Sequence, residues 1–229
     1  YEPFIKELID KKAAYRCYCT PEELAAERDN QQKQGIAPKY SGRCRHLSAQ
    51  EVDRFEREGR KSVVRFVVEP QKVSFDDLIR GQVEFDAALF GDFVIVRGDG
   101  MPLFVFSNVI DDNLMKISHV LRGEEHLVNT AKQILLADKL NFLSPQFGHF
   151  PLILNADRSK MSKRKNPVSI TDDYKAQGFL PDALVNYIAL LGWSSGTDRE
   201  IFTLRELATE FDISRVGKSP SIFDLEKLK

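Results

Sequence analysis

The stretch "KISHVLRGEEHLVNTAKQILLADKLN", residues 116–141, limits the possible folds more than any other. A short β-prone run, "KISHV", leads into a tight turn, and apolar residues then recur at helical spacing for about four turns. A second apolar run, "GHFPLILN", reads as the next strand. Strand, helix and strand in that order suit parallel neighbours joined by a crossover, so the pattern predicts an α/β domain with a parallel sheet.

Upstream the texture is different. "SVVRFVV", "KVSFDD", "QVEFD", "DFVIVRGDG" and "LFVFSNVIDD" read as successive strands separated by Gly, Pro and Asp signals. Ahead of them, residues 2–13 form an amphipathic helix with Phe4, Ile5, Leu8 and Ile9 on one side. Thr20 and Glu23 make a capping box, with Pro21 at the first helical position and Gly35 as the stop. Ser48 and Glu51 make a second box, opening a charged helix that runs to about Gly59. Residues 14–100 therefore read as an α+β insertion with an antiparallel sheet. The chain ends in a helical segment with a Pro181 start and a Gly192 stop.

Charge enters the argument at one place. The formal net charge is only −1, which excludes a wholesale basic protein but leaves room for a basic patch. "NADRSKMSKRKNPVS", Asn155 to Ser169, carries Arg158, Lys160, Lys163, Arg164 and Lys165, and Pro167 argues against a continuous helix through it. Such a loop is a solvated run, a contact for nucleic-acid phosphate, or a clamp on a transferring phosphate. It follows the apolar strand "FPLIL", and α/β sheets gather ligands beyond the carboxyl ends of their strands.

Cys17 and Cys19 stand two apart, and Cys44 and His46 repeat that spacing after one helix-sized excursion. C-x-C…C-x-H offers the four thiolate and imidazole ligands that tetrahedral zinc wants, with every position filled, so the metal would close a subdomain rather than activate water. Tyr40 is an alternative fourth ligand, although an imidazole is the easier donor at neutral pH. Three ordinary cysteines beside a surface histidine are the competing reading. An odd cysteine count fits a reducing, cytoplasmic compartment. No apolar run approaches the roughly 20 residues of a membrane span, and the first residues lack a secretory pattern.

"KMSKR", Lys160 to Arg164, matches the ATP-handling signature of class I aminoacyl-tRNA synthetases letter for letter. Around it, "VIDDNLMKISHVLRGEEHL", "ILLADKL", "YKAQGFLPDALVNYIALLGW", "EIFTLREL" and "FDLEKLK" resemble the glutamyl-tRNA synthetase branch. "CYC…GRCRH" resembles the zinc site of some bacterial members. The resemblance implies a class I Rossmann-type nucleotide fold carrying an inserted α+β subdomain with a zinc knuckle. It divides the chain into 1–13, the end of the first Rossmann half; 14–100, the insertion that meets the tRNA acceptor end; 101–155, the second half; and 156–229, the lysine loop and a helical stem-contact segment.

The same resemblance implies an enzyme that ligates L-glutamate to tRNA(Glu) through a glutamyl adenylate, using ATP with Mg²⁺ and one structural Zn²⁺ held by Cys17, Cys19, Cys44 and His46. It implies a cytoplasmic monomer with no membrane partner. Lys160 and Lys163 would be catalytic, steadying the charge that develops as pyrophosphate leaves. Glu125, Met161, Ser162 and Arg164 would line the ATP site with them. Phe104, Asn108 and Arg122 would hold the amino acid, Phe104 replacing the tyrosine common there; from the residues alone, Phe104 also reads as core and Arg122 as a partner of Asp111 or Asp112. Arg16, Arg43, Arg45, Arg60, Lys61 and Arg65 are candidate RNA contacts.

The H-I-G-H signature of the class is not among these residues, and the chain opens without methionine and already in a helix. The expectation is a piece of something longer, without useful activity alone. A paralogue that glutamylates a modified tRNA base, a glutamine-specific enzyme, and a zinc-stabilised RNA-binding module without catalysis are the alternatives.

Overall fold

The computed structural model describes residues 1–161 and 169–228, the side chains of Thr171 and Asp172 excepted. In chain order its elements are α1 (Glu2–Asp10), β1 (Ala14–Cys17), α2 (Pro21–Lys33), α3 (Ala49–Arg57), β2 (Val63–Phe66), β3 (Lys72–Asp77), β4 (Gly81–Asp86), β5 (Phe93–Val96), α4 (Phe104–Leu114) and β6 (His119–Gly123). Next come α5 (Leu127–Leu140), β7 (Gln146–Phe150), β8 (Ile153–Leu154), α6 (Pro181–Leu190), α7 (Leu204–Glu210), β9 (Ser221–Ile222) and α8 (Leu225–Leu228), with a π-type turn over Ile170–Lys175. Two compact units divide the chain: Tyr1–Phe75, Glu84–Ser118 and Val128–Pro145 in the first, and Asp76–Val83, His119–Leu127 and Gln146–Lys229 in the second. These units interleave in sequence, whereas the four stretches read from the sequence are contiguous.

In the first unit β1, β2 and β5 form an antiparallel sheet, with Ala14 opposite Phe66 and Val64 opposite Val96. Its core joins Leu8 of α1, Phe66, Ile95, Phe106 and Ile110 of α4, and Leu136 of α5, all with almost no exposed surface. Burying each such side chain stabilises by about 1.5–3 kcal/mol. Both capping boxes form as the sequence predicts, Thr20 with Glu23 and Ser48 with Glu51, and Gly35 takes the left-handed conformation just past the end of α2. Yet neither α2 nor α3 buries a single residue.

In the second unit β6 and β7 run parallel, in register from His119 opposite Gln146 to Gly123 opposite Phe150, with α5 as their sequence crossover. Asp77, the last residue of β3, pairs in parallel with Phe147. The sheet order β4–β3–β7–β6 thus draws in a strand that the sequence reading assigned to the antiparallel insertion. Trp193, Phe202, Leu207, Val216 and Ile79 form one apolar cluster, and Tyr174, Leu184, Tyr187 and Leu228 another.

Two local expectations are corrected. "LFVFSNVIDD" is a helix, α4, and not a strand. Its buried residues are Phe106, Val109 and Ile110, the i, i+3, i+4 spacing of a helical stripe, and the apolar run from its N-cap Leu103 to Phe106 hides that period. "GHFPLILN" is two strands rather than one. β7 ends at Phe150, Pro151 offers no N–H to continue the ladder, and β8 pairs instead with β9, Ile153 opposite Ser221.

Candidate functional site

Arg122 leaves the carboxyl end of β6, directly across the ladder from His149 on β7. A residue and its partner across a parallel ladder present their side chains on the same face, so the register alone brings guanidinium and imidazole together. Arg122 Nε donates to His149 Nε2 at 3.4 Å, and the guanidinium also lies 5.9 Å from the centre of the Phe147 ring. His149 is wholly buried, and its Nδ1 stands 2.6 Å from Asp77 Oδ2. Arginine has only donors, so Nε2 is the bare nitrogen and Nδ1–H donates to the carboxylate. Asp77 Oδ1 accepts the backbone N–H groups of Ile79, Arg80 and His149 at 3.0, 2.8 and 3.2 Å. Burial raises the Asp77 pKa, but the N–H of Arg80, the imidazole and the other amides outweigh it and hold the carboxyl below its ordinary value. Burial lowers the His149 pKa more than Asp77 raises it, and Arg122 and His126 push the same way, so the imidazole is neutral at neutral pH.

Glu124 and Glu125 follow in a single 3₁₀ turn, Glu124–His126. Glu124 is tied inward, pairing with Arg80 and accepting the Leu152 N–H at 3.1 Å. Glu125 faces outward, and its Oε1 is 3.1 Å from Lys160 Nζ. Its carboxyl is held below the ordinary value by its own backbone N–H first, then by Lys160, against some burial. Gly123 permits this pose, since a Cβ there would lie 2.1 Å from Glu125 Oε2.

Lys160 is placed by a tight reversal. Asn155 N–H donates to Ser159 O at 2.9 Å, Arg158 takes a left-handed φ of 63°, and Asp157 accepts from the Ser159 hydroxyl at 2.6 Å. Leu154 then bridges to Lys160, and Met161 N–H donates to Ile153 O at 3.2 Å. Ser162, Lys163 and Arg164 lie outside the described residues.

In the first unit Phe104 opens α4 and Asn108 sits one turn later on the same face. Phe104 is 50% exposed, so it is not core. Asn108 Oδ1 accepts from the Gln133 amide of α5 at 2.8 Å, and its Nδ2 reaches Asp112 Oδ1 at 3.3 Å. Gln133 is buried, and the sequence reading missed it, together with His149 and Asp77. A histidine inside an otherwise apolar strand and a glutamine on a buried helix face were the available signals.

The three cysteines of the expected zinc site come together, with Tyr40 rather than His46 beside them. The sulfurs of Cys17, Cys19 and Cys44 lie within 4.8 Å of one another, a group of the kind that can hold a metal. Tyr40 Oη stands 3.3 Å from Cys17 Sγ and 3.6 Å from Cys19 Sγ, and accepts the Cys44 N–H at 2.9 Å. His46 is exposed and is not a member of the group. The hydrogen bond with Cys44 draws Cys17 toward its thiolate, while the same bond raises the Cys44 thiol. Burial raises the Tyr40 phenol, and its hydrogen bonds to the sulfurs add to that. Arg65 is not available as an RNA contact: it is 7% exposed, stacks on the Tyr40 ring at 3.8 Å and donates to Asp92 O at 2.9 Å. Arg60, another candidate, spans Glu58 and Glu23 over the Phe55 ring. Arg45 pairs with Glu69.

The profile of the family described as tRNA synthetases class I (E and Q), catalytic domain, matches residues 1–229. A glutamate–tRNA ligase of Heliobacterium modesticaldum is 52% identical over all of this chain and 46% of its own length. One from Desulforamulus reducens is 49% identical over all of the chain and 47% of its own length. The crystal structure of a glutamate tRNA ligase from Elizabethkingia meningosepticum, in complex with its amino acid, superposes with a TM-score of 0.87 at 33% identity, covering the whole chain and 50% of that protein. The chain therefore spans about half the length of the relatives it matches. Among the described residues no helix is long and apolar enough to cross a membrane. Mixed α/β architecture, the intact "KMSKR" and this similarity over every residue agree: the chain belongs to the class I tRNA synthetases for glutamate and glutamine, and is catalytic-domain sequence of that family.

Proposed function

We propose that the complete protein activates L-glutamate with ATP as an enzyme-bound adenylate and passes it to tRNA(Glu). The observation that supports this most is the grouping of Arg122, Glu125 and Lys160 around the carboxyl end of β6, in a chain half identical to named glutamate–tRNA ligases. Arg122 grips a carboxylate of the amino acid with paired hydrogen bonds. The other carboxylate attacks the α-phosphorus, the bond to pyrophosphate breaks, and Lys160 and Lys163 stabilise the charge gathering on the leaving oxygens. Lys160 pairs with Glu125, which ties its ammonium to the turn after β6. Mg²⁺, arriving with ATP, supplies further charge neutralisation.

Cys17, Cys19 and Cys44, with Tyr40 Oη beside them, would hold one structural zinc, which would tie β1 to the turn that holds Cys44. Residues 14–100 would meet the acceptor end of the tRNA. Residues 1–13 and 101–155 would contribute to the nucleotide fold, and 156–229 the lysine loop and stem contacts. A reducing cytoplasm suits the free thiols.

Glutamate-dependent ATP–pyrophosphate exchange and aminoacylation by the complete protein test this reading, with glutamine run alongside. Glutamate is expected to support both, with Lys163→Ala lowering the rate far more than it raises the glutamate KM. Equal or better charging with glutamine overturns the substrate assignment, and unchanged turnover in the lysine variant overturns the phosphate clamp.

A further inference from the structure

We propose that His149 and Asp77 are positioning residues for Arg122, a buried imidazole and carboxylate that set the guanidinium in the one orientation able to take a carboxylate substrate. The inference rests on the reading that Arg122 grips the amino acid and adds what holds it still.

A fully buried histidine in the strand "QFGHF" is poorly explained by packing, for which an apolar side chain would serve better. Both of its ring nitrogens are engaged, and they face different elements. Nδ1 is anchored on Asp77, itself locked by three backbone N–H groups at the end of β3, so the ring cannot turn about its own axis. Nε2 faces Arg122 Nε across the ladder, with Phe147 stacked beside the imidazole on the same strand face. With Nε engaged by His149, the edge of the guanidinium that meets a carboxylate is the one carrying the two Nη nitrogens. Arginine owes its selectivity for carboxylates to that planar pair, and a free side chain would have to give up rotamer entropy each time it bound. The buried pair removes that cost beforehand. A merely structural Asp–His pair would cap the β3–β4 turn equally well with any group opposite Nε2.

The arrangement requires a neutral imidazole. A proton on Nε2 removes the acceptor and sets two cations side by side. The charged and titratable groups acting on the ring are Asp77 on β3, Arg122 on β6 and His126 in the turn after β6, while Arg80, in the turn after β3, reaches the His149 backbone carbonyl.

Two amide replacements separate the roles in the complete enzyme. His149→Gln puts an acceptor near the former Nε2. His149→Asn keeps a donor near the former Nδ1 and withdraws the acceptor that faces Arg122 Nε. In ATP–pyrophosphate exchange, His149→Asn is expected to raise the glutamate KM about tenfold or more, the scale of one hydrogen bond to a charged group. The ATP KM should stay put, and His149→Gln should stay within about threefold of wild type, the range of non-additive context effects. From pH 7 to pH 5 the wild-type glutamate KM should climb, and in His149→Gln, whose amide does not titrate, it should stay level. Arg122→Ala runs as the control. If Arg122→Ala leaves the glutamate KM unchanged, the arginine reading fails and this inference with it. If Arg122→Ala raises it while His149→Asn does not, or if both amide variants raise the two substrates' KM values alike, only the positioning role is overturned. Should His149→Asn not fold, the pH profile of His149→Gln decides alone: a climb equal to wild type refutes the proposal.

Discussion

Replacing Gly123 with alanine isolates the placement of Glu125 from the rest of the second unit. Gly123 has φ −69° and ψ 150°, ordinary extended values, so alanine strains no backbone here. The new Cβ would stand 2.1 Å from Glu125 Oε2 and 2.8 Å from its Cδ, far inside the roughly 3.5–4 Å of a relaxed contact. What it meets is the tip of a flexible, exposed side chain, so the carboxylate swings away and the strand end stays. The ion pair with Lys160 is lost, but for exposed partners that is worth about 0–1 kcal/mol. Reduced freedom of the unfolded chain returns about 0.4–1 kcal/mol. Stability should therefore hold within about 1 kcal/mol, or about 2–4 °C in Tm for a chain of this size. The nucleotide should notice far more: if Glu125 borders ATP, its displacement removes a charged hydrogen-bonding partner and raises the ATP KM about tenfold. Thermal unfolding and ATP–pyrophosphate exchange on the same preparation read both numbers. A Tm drop beyond about 8 °C would mean that the backbone, not the side chain, had yielded. An unchanged ATP KM would remove Glu125 from the nucleotide site.

Elemental analysis should find about one zinc per chain, retained in His46→Ala, lost readily to a chelator in Tyr40→Phe, and absent in Cys17→Ser; zinc loss on removing His46 alone would restore the imidazole as fourth ligand. Gly148→Ala places a Cβ 2.7 Å from Leu121 Cδ2 and 3.6 Å from Leu78 Cβ, and chemical denaturation should show a loss of about 1–3 kcal/mol; no loss would mean that Leu121 turns out freely. Acid should weaken the second unit in two stages. His149 has a depressed pKa, so its contribution is complete above the ordinary histidine value of 6.5 and is lost as pH falls from there through the folded value. Asp77, also depressed, follows below its ordinary 3.8. Denaturation midpoints between pH 7 and pH 5 should fall less in His149→Gln than in wild type; parallel curves would refute the first stage.

Features set by local chemistry were legible in the sequence. Thr20, Pro21 and Gly35 mark α2 because caps act within one turn, and Ser48 with Glu51 marks α3 for the same reason. β6, its turn and the four-turn α5 could be read because strand and helix periods follow each other without overlap. What depends on distant partners was not legible. α4 begins with three apolar residues after an apolar N-cap, Leu103, and this run fits either period until the buried face at Phe106, Val109 and Ile110 is known. His46 and Tyr40 compete in the sequence for one corner of the cysteine cluster, and only the turn that carries Tyr40 back onto Cys17 and Cys44 shows which of them lies beside the sulfurs. Arg65 looked like a surface cation because its strand neighbours do not announce that it stacks inward on Tyr40. His149 found its meaning only through Asp77, 72 residues earlier.

Helices α2 and α3 rest on capping boxes and on the stacking of Phe55 with Tyr18 and two arginines, with no side chain sunk into the interior. Their residues reach the rest of the chain through polar contacts, Gln31 with the Lys39 carbonyl and Glu27 with the Ser41 N–H among them. Substitution on their outward faces can redraw that surface while the core around Leu8, Phe66 and Ile95 goes on folding as before, so surface and interior are free to evolve at different speeds within one polypeptide.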